Sequence, residues 1–275
     1  MLNATAVRFA TVLLVFFTLT ATAQPQTFKL GVAPHTSARV ILEMYQPLRQ
    51  QLERDLGMPV DVQTAPDFTE FARRAINQDY DLAITTGHQA RLFQTDADYL
   101  PLATYKADFK AVALVARESR LRGPSDLKGA NVLGLSPASL VTLWGQRWMK
   151  INGVQEAGMR YISAADSVSQ QVLSGDADLA FTSLANFQKL PAEQQAALRI
   201  LAESESMLGR VYMLNKRWAK QVGKLDQSLN NFANSAEGKK YLTQNKLDAY
   251  RKIRPKELET MEPYAAETRL QIKAR

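Results

Sequence analysis

The phrase "DYDLAITT", Asp79 to Thr86, returns almost unchanged as "DADLAFTS", Asp176 to Ser183. In both, two aspartates lead into an apolar run that ends on two hydroxyl residues. Each phrase also closes a segment of one design. "VDVQTAPDFTEFARRAINQDYDLAITT" and "MRYISAADSVSQQVLSGDADLAFTS" both read as strand, helix, strand. Strands joined by a helix through short connections form a parallel sheet with right-handed crossovers. Two copies of the unit predict an α/β protein of two pseudo-symmetric lobes, each a mostly parallel sheet flanked by helices. In such sheets ligands bind beyond the carboxyl ends of the strands, where both hydroxyl pairs stand.

The flanking sequence extends this plan. "TFKLGVAP" (27–34) reads as a strand stopped by Pro34. Ser37 caps a following helix whose apolar positions are Val40, Ile41, Met44, Leu48, Leu52 and Leu56, with a kink at Pro47 and a stop at Gly57. Asp67 and Glu70 form a capping-box pattern ahead of Phe68, Phe71, Ala72, Ala75 and Ile76. In the middle, Ser139 opens a helix with Leu140, Leu143, Trp144, Trp148 and Ile151 on one side, and Asp166 caps another. Val222, Leu225, Leu229 and Phe232 mark a later helix, Ser235–Gln244 a shorter one, and Pro255 the start of the last. Extended segments near Tyr105–Val115 and Leu201–Met213 bracket the middle of the chain and predict paired hinge strands. The expected division is lobe I from residues 24–108 and 207–275, and lobe II from 109–206.

Composition narrows the setting. Residues 1–23 carry one positive charge, Arg8, then an apolar run too short to span a membrane, then Ala21-Thr22-Ala23. That is the pattern of a cleaved secretory signal. There is no cysteine, which excludes disulfides, thiolate metal sites, a cysteine nucleophile and a lipid-modified cysteine. A soluble periplasmic protein stabilised by its hydrophobic core is expected. The formal charge is +7, but the basic residues are scattered and no aromatic-interleaved basic stripe exists. Nucleic-acid binding is therefore not expected, no cofactor is implied, and a monomer is expected.

The residues at the strand ends carry the chemistry. Three segments fall there in lobe I: "PHTS" (34–37), "TAPD" (64–67) and "TTGHQ" (85–89). They bring His35, Thr36, Ser37, Thr64, Thr85, Thr86 and His88, the only two histidines among them. As metal ligands the histidines lack a third partner beyond Asp67, and as bases they lack a nucleophile-elbow or oxyanion pattern. Hydrogen bonding to a bound ligand is the better functional reading, with packed or solvated loop histidines as the alternative. Thr85, Thr86, Thr182 and Ser183 either contact ligand or satisfy strand backbone. The aspartates Asp79, Asp81, Asp176 and Asp178 precede the strands and read as turn residues. Trp144 and Trp148 suit core packing, and Tyr105 either packs at the hinge or touches ligand.

Several phrases together carry a resemblance: "KLGVAPHTS", "YQPLRQQLERDLGMPVDVQTAPDFTEFARRAINQDYDLAITTGHQA", "AVALVARESRLRGPSDLKGANVLGLSP" and "SVSQQVLSGDADLAF". In them the chain resembles type 2 periplasmic solute-binding proteins of ABC transporters, in the phosphate/phosphite/phosphonate-binding branch. The resemblance implies a hinged clamshell that holds a small oxyanion-like ligand between its lobes and delivers it to a membrane permease. Where that family has an aromatic after the first-strand proline, this chain has His35. Its Gly-Pro-x-x-Tyr loop is here Gly87, His88 and Arg91. Its Ser/Thr-rich helix start is here "SPASLVT", with Ser136, Ser139 and Thr142 kept and Leu140 and Val141 interrupting. His35, Thr86, His88 and Arg91 would then act from one lobe, and Ser136, Ser139 and Thr182 from the other. A sensory module signalling to a membrane kinase or chemoreceptor is the alternative use of such a fold. An enzyme is disfavoured, since no nucleophile–base pair or metal set converges.

Overall fold

The computed structural model describes residues 26–154, 158–162 and 167–274. The expected signal segment (1–23), Asp166 and the end of the strand at 163–164 lie outside the described residues. Two mixed sheets form, one per lobe. Sheet 1 contains β1 (Phe28–Val32), β2 (Val60–Gln63), β3 (Leu82–Thr86), β4 (Leu100–Tyr105), β10 (Arg210–Leu214) and β11 (Tyr250–Arg251), in the order β11-β4-β10-β3-β1-β2. Sheet 2 contains β5 (Ala111–Ala116), β6 (Asn131–Gly134), β7 (Gly158–Tyr161), β8 (Leu179–Ser183) and β9 (Leu198–Glu203), in the order β7-β6-β8-β5-β9.

The strand–helix–strand units supply parallel pairs in each sheet, β1 with β2 and β3, and β6 with β7 and β8. Antiparallel pairs come from the strands next to the crossings between lobes. β10 runs antiparallel between β3 and β4, and β5 antiparallel between β8 and β9. The two crossings lie side by side, joined by an antiparallel bridge between Phe109 and Met207 with Met207 N donating to Phe109 O at 2.8 Å. A strand that returns from the other lobe enters the sheet from its far end, so it pairs antiparallel.

The repeated phrase is structural before it is functional. Asp81 N donates to Lys29 O (2.9 Å) while Lys29 N donates to the Asp81 carboxylate (2.8 Å). Asp178 and Asn131 repeat both bonds in lobe II, at 2.9 and 2.8 Å. Each second aspartate thus fixes the start of its strand to the parallel neighbour. Asp81 is more than the turn residue expected from sequence. It is buried and also accepts from Arg217 Nε (2.7 Å) and Trp218 Nε1, tying the C-terminal part of the chain to sheet 1.

Helix α1 (Ala38–Leu56) ends at Gly57, whose φ of 71° is the left-handed cap the sequence signalled. It runs through Pro47, and it buries Ile41, Tyr45, Leu48, Leu52 and Leu56, leaving Val40 exposed. In α2 (Phe68–Ile76), Asp67 accepts from Thr69 N and Glu70 N, both at 2.9 Å. Glu70 does not complete the capping box. It pairs with Arg73 and Arg74, which hold its carboxyl at about 2. Helix α3 (Gly87–Asp96) starts directly at the end of β3. A Cβ at Gly87 would lie 2.5 Å from Leu208 O, so glycine alone lets this strand turn into its helix beneath the hinge segment.

In lobe II, α4 (Leu140–Ile151) buries Leu143 and Trp144, while Ile151 is 72% exposed rather than in line with them. Trp144 and Trp148 stack with centroids 6.1 Å apart and meet Phe181 edge-on, the core role expected for them. Short helices α5 (Val168–Leu173), α6 (Leu184–Gln188) and α7 (Ala192–Ala197) complete this lobe. The chain then returns to lobe I with α8 (Val222–Asn234) and α9 (Ala236–Gln244). Its last helix, α10 (Glu262–Lys273), begins at Glu262 beyond the expected Pro255, with Pro263 in its first turn. Leu140 and Ala138 pack into the lobe I cluster that holds Phe68, Phe71 and Phe93, so the two lobes meet through apolar side chains. Among the described residues no helix is long and apolar enough to cross a membrane.

The paired aspartates give a direct test of this account. Asp81→Ala removes a buried carboxylate and leaves part-buried donors on Lys29, Arg217 and Trp218, so it is expected to destabilise by about 2–3 kcal/mol, whereas Asp178→Ala, at an exposed position, costs under about 1 kcal/mol. Urea denaturation of both variants measures the difference, and equal costs would refute the anchoring role of Asp81.

Candidate functional site between the lobes

A cavity of about 100 Å³ lies where the carboxyl ends of β1 and β3 face α4 and the end of β8. A second chamber of about 310 Å³ adjoins α1 and α6, and His35, Asn186, Lys189 and Arg210 line both. His35 and Arg210 come from lobe I, Asn186 and Lys189 from lobe II.

Of the residues expected from sequence, His35, Thr85, Thr86, Tyr105 and Ser139 line the smaller cavity, and Thr36 and Thr182 the larger. Several of these have hydrogen bonds of their own. Thr85 Oγ1 donates to Gln89 Oε1 at 2.7 Å, and Ser139 Oγ donates to Thr142 Oγ1 at 2.8 Å. The Ser139 side chain makes no capping bond to α4, whose first turn opens on the cavity at Ser139, Leu140 and Val141.

Five expected residues lie elsewhere. His88 is fully buried off the cavity. Its Nε2–H donates to Ala138 O at 3.0 Å across the lobe interface, and Thr86 Oγ1 donates to its Nδ1 at 3.1 Å. Burial pushes this ring down to about 4, with the Ala138 bond opposing, so it is neutral and both nitrogens are engaged. His88 is a tie between lobes and has no atom left for a ligand. Arg91 pairs with Glu262 of α10 at 2.7 Å, because α3 turns that face toward the C-terminal helix. Thr64 Oγ1 donates to Val32 O at 2.8 Å and holds the ends of β1 and β2 together. Ser37 sits exposed at the start of α1, and Ser136 Oγ is buried without a partner outside both chambers.

The cationic residues were not anticipated. Arg210 is the first residue of β10 and stands in register with Thr86, which brings it to the carboxyl ends of the parallel strands. Its Nη1 is buried without a hydrogen-bond partner among the described residues. Around it stand Tyr45, Tyr105, Tyr212 and Tyr241. The hydroxyls of Tyr105, Tyr212, Tyr241 and Tyr250 form a network, Tyr105 with Tyr212 (2.6 Å) and Tyr241 (2.9 Å), and Tyr212 with Tyr250 (3.0 Å). Burial raises Tyr45, Tyr105, Tyr212 and Tyr250 well above the ordinary tyrosine value, so these rings stay neutral beside the guanidinium. Lys189 Nζ donates to Asn245 Oδ1 at 3.1 Å. Although the residue is largely exposed, desolvation of its ammonium, with repulsion from Arg210 and Lys246, pushes it down to about 8. Among the described residues neither cation pairs with a carboxylate. The one acid on the wall, Asp108, is exposed and accepts from Ser206 Oγ at 2.9 Å. No cluster able to hold a metal ion occurs among the described residues. A strand that opens on arginine before "VYML" was the legible hint of Arg210; Lys189, in a loop beyond α6, had none.

Known structures share this architecture. A binding protein component of an ABC phosphonate transporter from Pseudomonas aeruginosa superposes with a TM-score of 0.77 at 15% identity, covering 90% of this chain and 89% of that one. PhnD1 from Prochlorococcus marinus, solved with methylphosphonate, gives 0.77 at 16% identity over 90% and 99%. A Xanthomonas citri protein bound to chloride ion gives 0.74 at 18% identity over 89% and 99%. At these identities the likeness establishes the fold, that of two-lobed periplasmic binding proteins. No curated protein matches the chain. The family model described as "ABC transporter, phosphonate, periplasmic substrate-binding protein" matches residues 30–258, so this chain belongs to the family of phosphonate-type periplasmic substrate-binding proteins of ABC transporters.

Proposed function

We propose that this protein captures a small phosphorus oxyanion between its lobes and presents it to its transporter's membrane permease. One observation carries the reading: Arg210 and Lys189 converge on the cavity between the lobes, and among the described residues neither is paired with a carboxylate. A desolvated charge without a counter-charge is costly, and an anion of few heavy atoms would relieve both the buried end of Arg210 and the partly desolvated Lys189 ammonium. The start of α4 adds backbone N–H groups and the positive end of its dipole at the same cavity. In this reading His35 and Arg210 hold the ligand from lobe I, and Ser139, Asn186 and Lys189 close on it from lobe II. The His88–Ala138 bond and the Leu140 plug hold the closed arrangement. Binding without turnover, cleavage after Ala23, the lack of a lipid anchor and a monomeric state without nucleic acid belong to the same proposal. The sensory alternative is not favoured, because the matching family is a transporter component.

A thermal-shift screen over phosphate, phosphite, phosphonates, carboxylates and amino acids ranks ligands by the stability they add. Shifts confined to cations or neutral sugars would sink the oxyanion reading. Arg210→Met is expected to keep a cooperative unfolding transition yet lose on the order of 100-fold in methylphosphonate affinity by calorimetry.

Lys189 makes the binding pH-dependent. Its ammonium is destabilised in the free protein and favoured by a bound anion, so its contribution is full below about pH 8 and fades above it. The affinity ratio of wild type to Lys189→Met, which cancels the ligand's own ionisation, should therefore be constant below about pH 8 and fall toward one above it. A flat ratio would show that the ammonium does not touch the ligand. His88→Ala orphans the Ala138 carbonyl at a cost of about 1–3 kcal/mol and should favour the open form. Small-angle scattering would then show a larger radius of gyration; an unchanged profile excludes His88 as the tie.

A further inference from the structure

Beside its cationic donors the cavity presents an acceptor on His35. His35 Nδ1 lies 2.8 Å from Ala33 O. A carbonyl only accepts, so Nδ1 carries the proton, and Nε2 of the neutral ring presents a lone pair. The ring stands edge-on to Tyr45, with centroids 6.2 Å apart. Among the described residues, His35 Nε2, the Tyr45 hydroxyl and Arg210 Nη1 are all buried without a hydrogen-bond partner. The charged groups acting on the ring are Arg210 and Lys189, which share its wall in both chambers, while Lys246 and the exposed Asp108 also line the smaller one. A second proton on His35 would add a further positive charge beside Arg210 and Lys189. Burial, then Arg210 and Lys189, holds the ring well below its ordinary value against the opposing Ala33 bond, so the lone pair persists.

Such a wall offers donors from Arg210 and Lys189 and an acceptor from His35. A fully ionised tetrahedral anion satisfies only the donors and sets an oxygen lone pair against Nε2. An anion that keeps one proton satisfies both. We propose that His35 is a specificity-determining residue that accepts a hydrogen bond from the P–OH of a mono-protonated phosphorus oxyanion, selecting it over a sulfonate of the same shape and charge. The inference rests on the reading of this cavity as an anion site and adds the ligand's protonation state to it.

Methylphosphonate and methanesulfonate test it, because below the second ionisation of the phosphonate they are monoanions differing by one proton. Calorimetry on the mature protein is expected to show methylphosphonate bound at least about tenfold more tightly, since a site built around one hydrogen bond rejects the analogue that lacks it. In His35→Leu the ratio should fall to within about threefold, mainly through weaker phosphonate binding. His35→Gln, which can present an amide oxygen, should recover part of the ratio and still decides the matter if the leucine variant misfolds. A wild-type ratio near one, or one unchanged in His35→Leu, overturns the role of His35 while leaving the anion site intact. Failure of both anions to bind the folded wild type overturns the anion site itself.

Discussion

The Arg210 guanidinium, set against neutral tyrosines and paired with no carboxylate among the described residues, organises the candidate site of this protein. Its position follows from the antiparallel return of β10 into sheet 1. That direction puts the first residue of the strand beside Thr86, at the carboxyl ends of the parallel strands where the proposed site lies. The hydroxyl network of Tyr105, Tyr212, Tyr241 and Tyr250 packs behind it and supplies polar surface without charge. A cation held this way lacks a counter-charge within the described residues, and that is the physical basis of the proposed anion capture.

The lobes meet through two kinds of contact with different consequences. Leu140 and Ala138 fill an apolar cluster in lobe I, which favours closure in proportion to the area covered and without direction. The bond from His88 to the Ala138 carbonyl is directional and fixes how the lobes meet. A histidine held neutral at both nitrogens suits this role, because its geometry does not change across the physiological range.

Much of the fold was legible. The D-x-D-L-A phrase reported two equivalent strand starts, and the structure shows the same reciprocal bonds at Asp81 and Asp178. Gly57, Asp67 and Ser235 marked helix ends where the structure has them, because these are local hydrogen-bond requirements. The stripe on α1 was misread at Val40 because Tyr45 takes the buried face, and aromatic residues with a polar tip are ambiguous in a periodicity. Half of the site was legible through the hydroxyls and His35 at strand ends. His88 and Arg91 looked equally suitable, yet α3 turns one into the lobe interface and the other toward Glu262.

The sequence by itself determined the two strand–helix–strand units, their glycine and aspartate boundaries, and the end of each sheet where a ligand would sit. All of these depend on neighbours along the chain. Only the tertiary structure decided which polar residues remain unpaired at that place. Lys189 and Arg210 stand on opposite sides of the return crossing between the lobes, and they line one cavity because β10 re-enters sheet 1 facing the loop beyond α6. Whether a charge is neutralised depends on what packs against it from distant elements, and no local pattern encodes that.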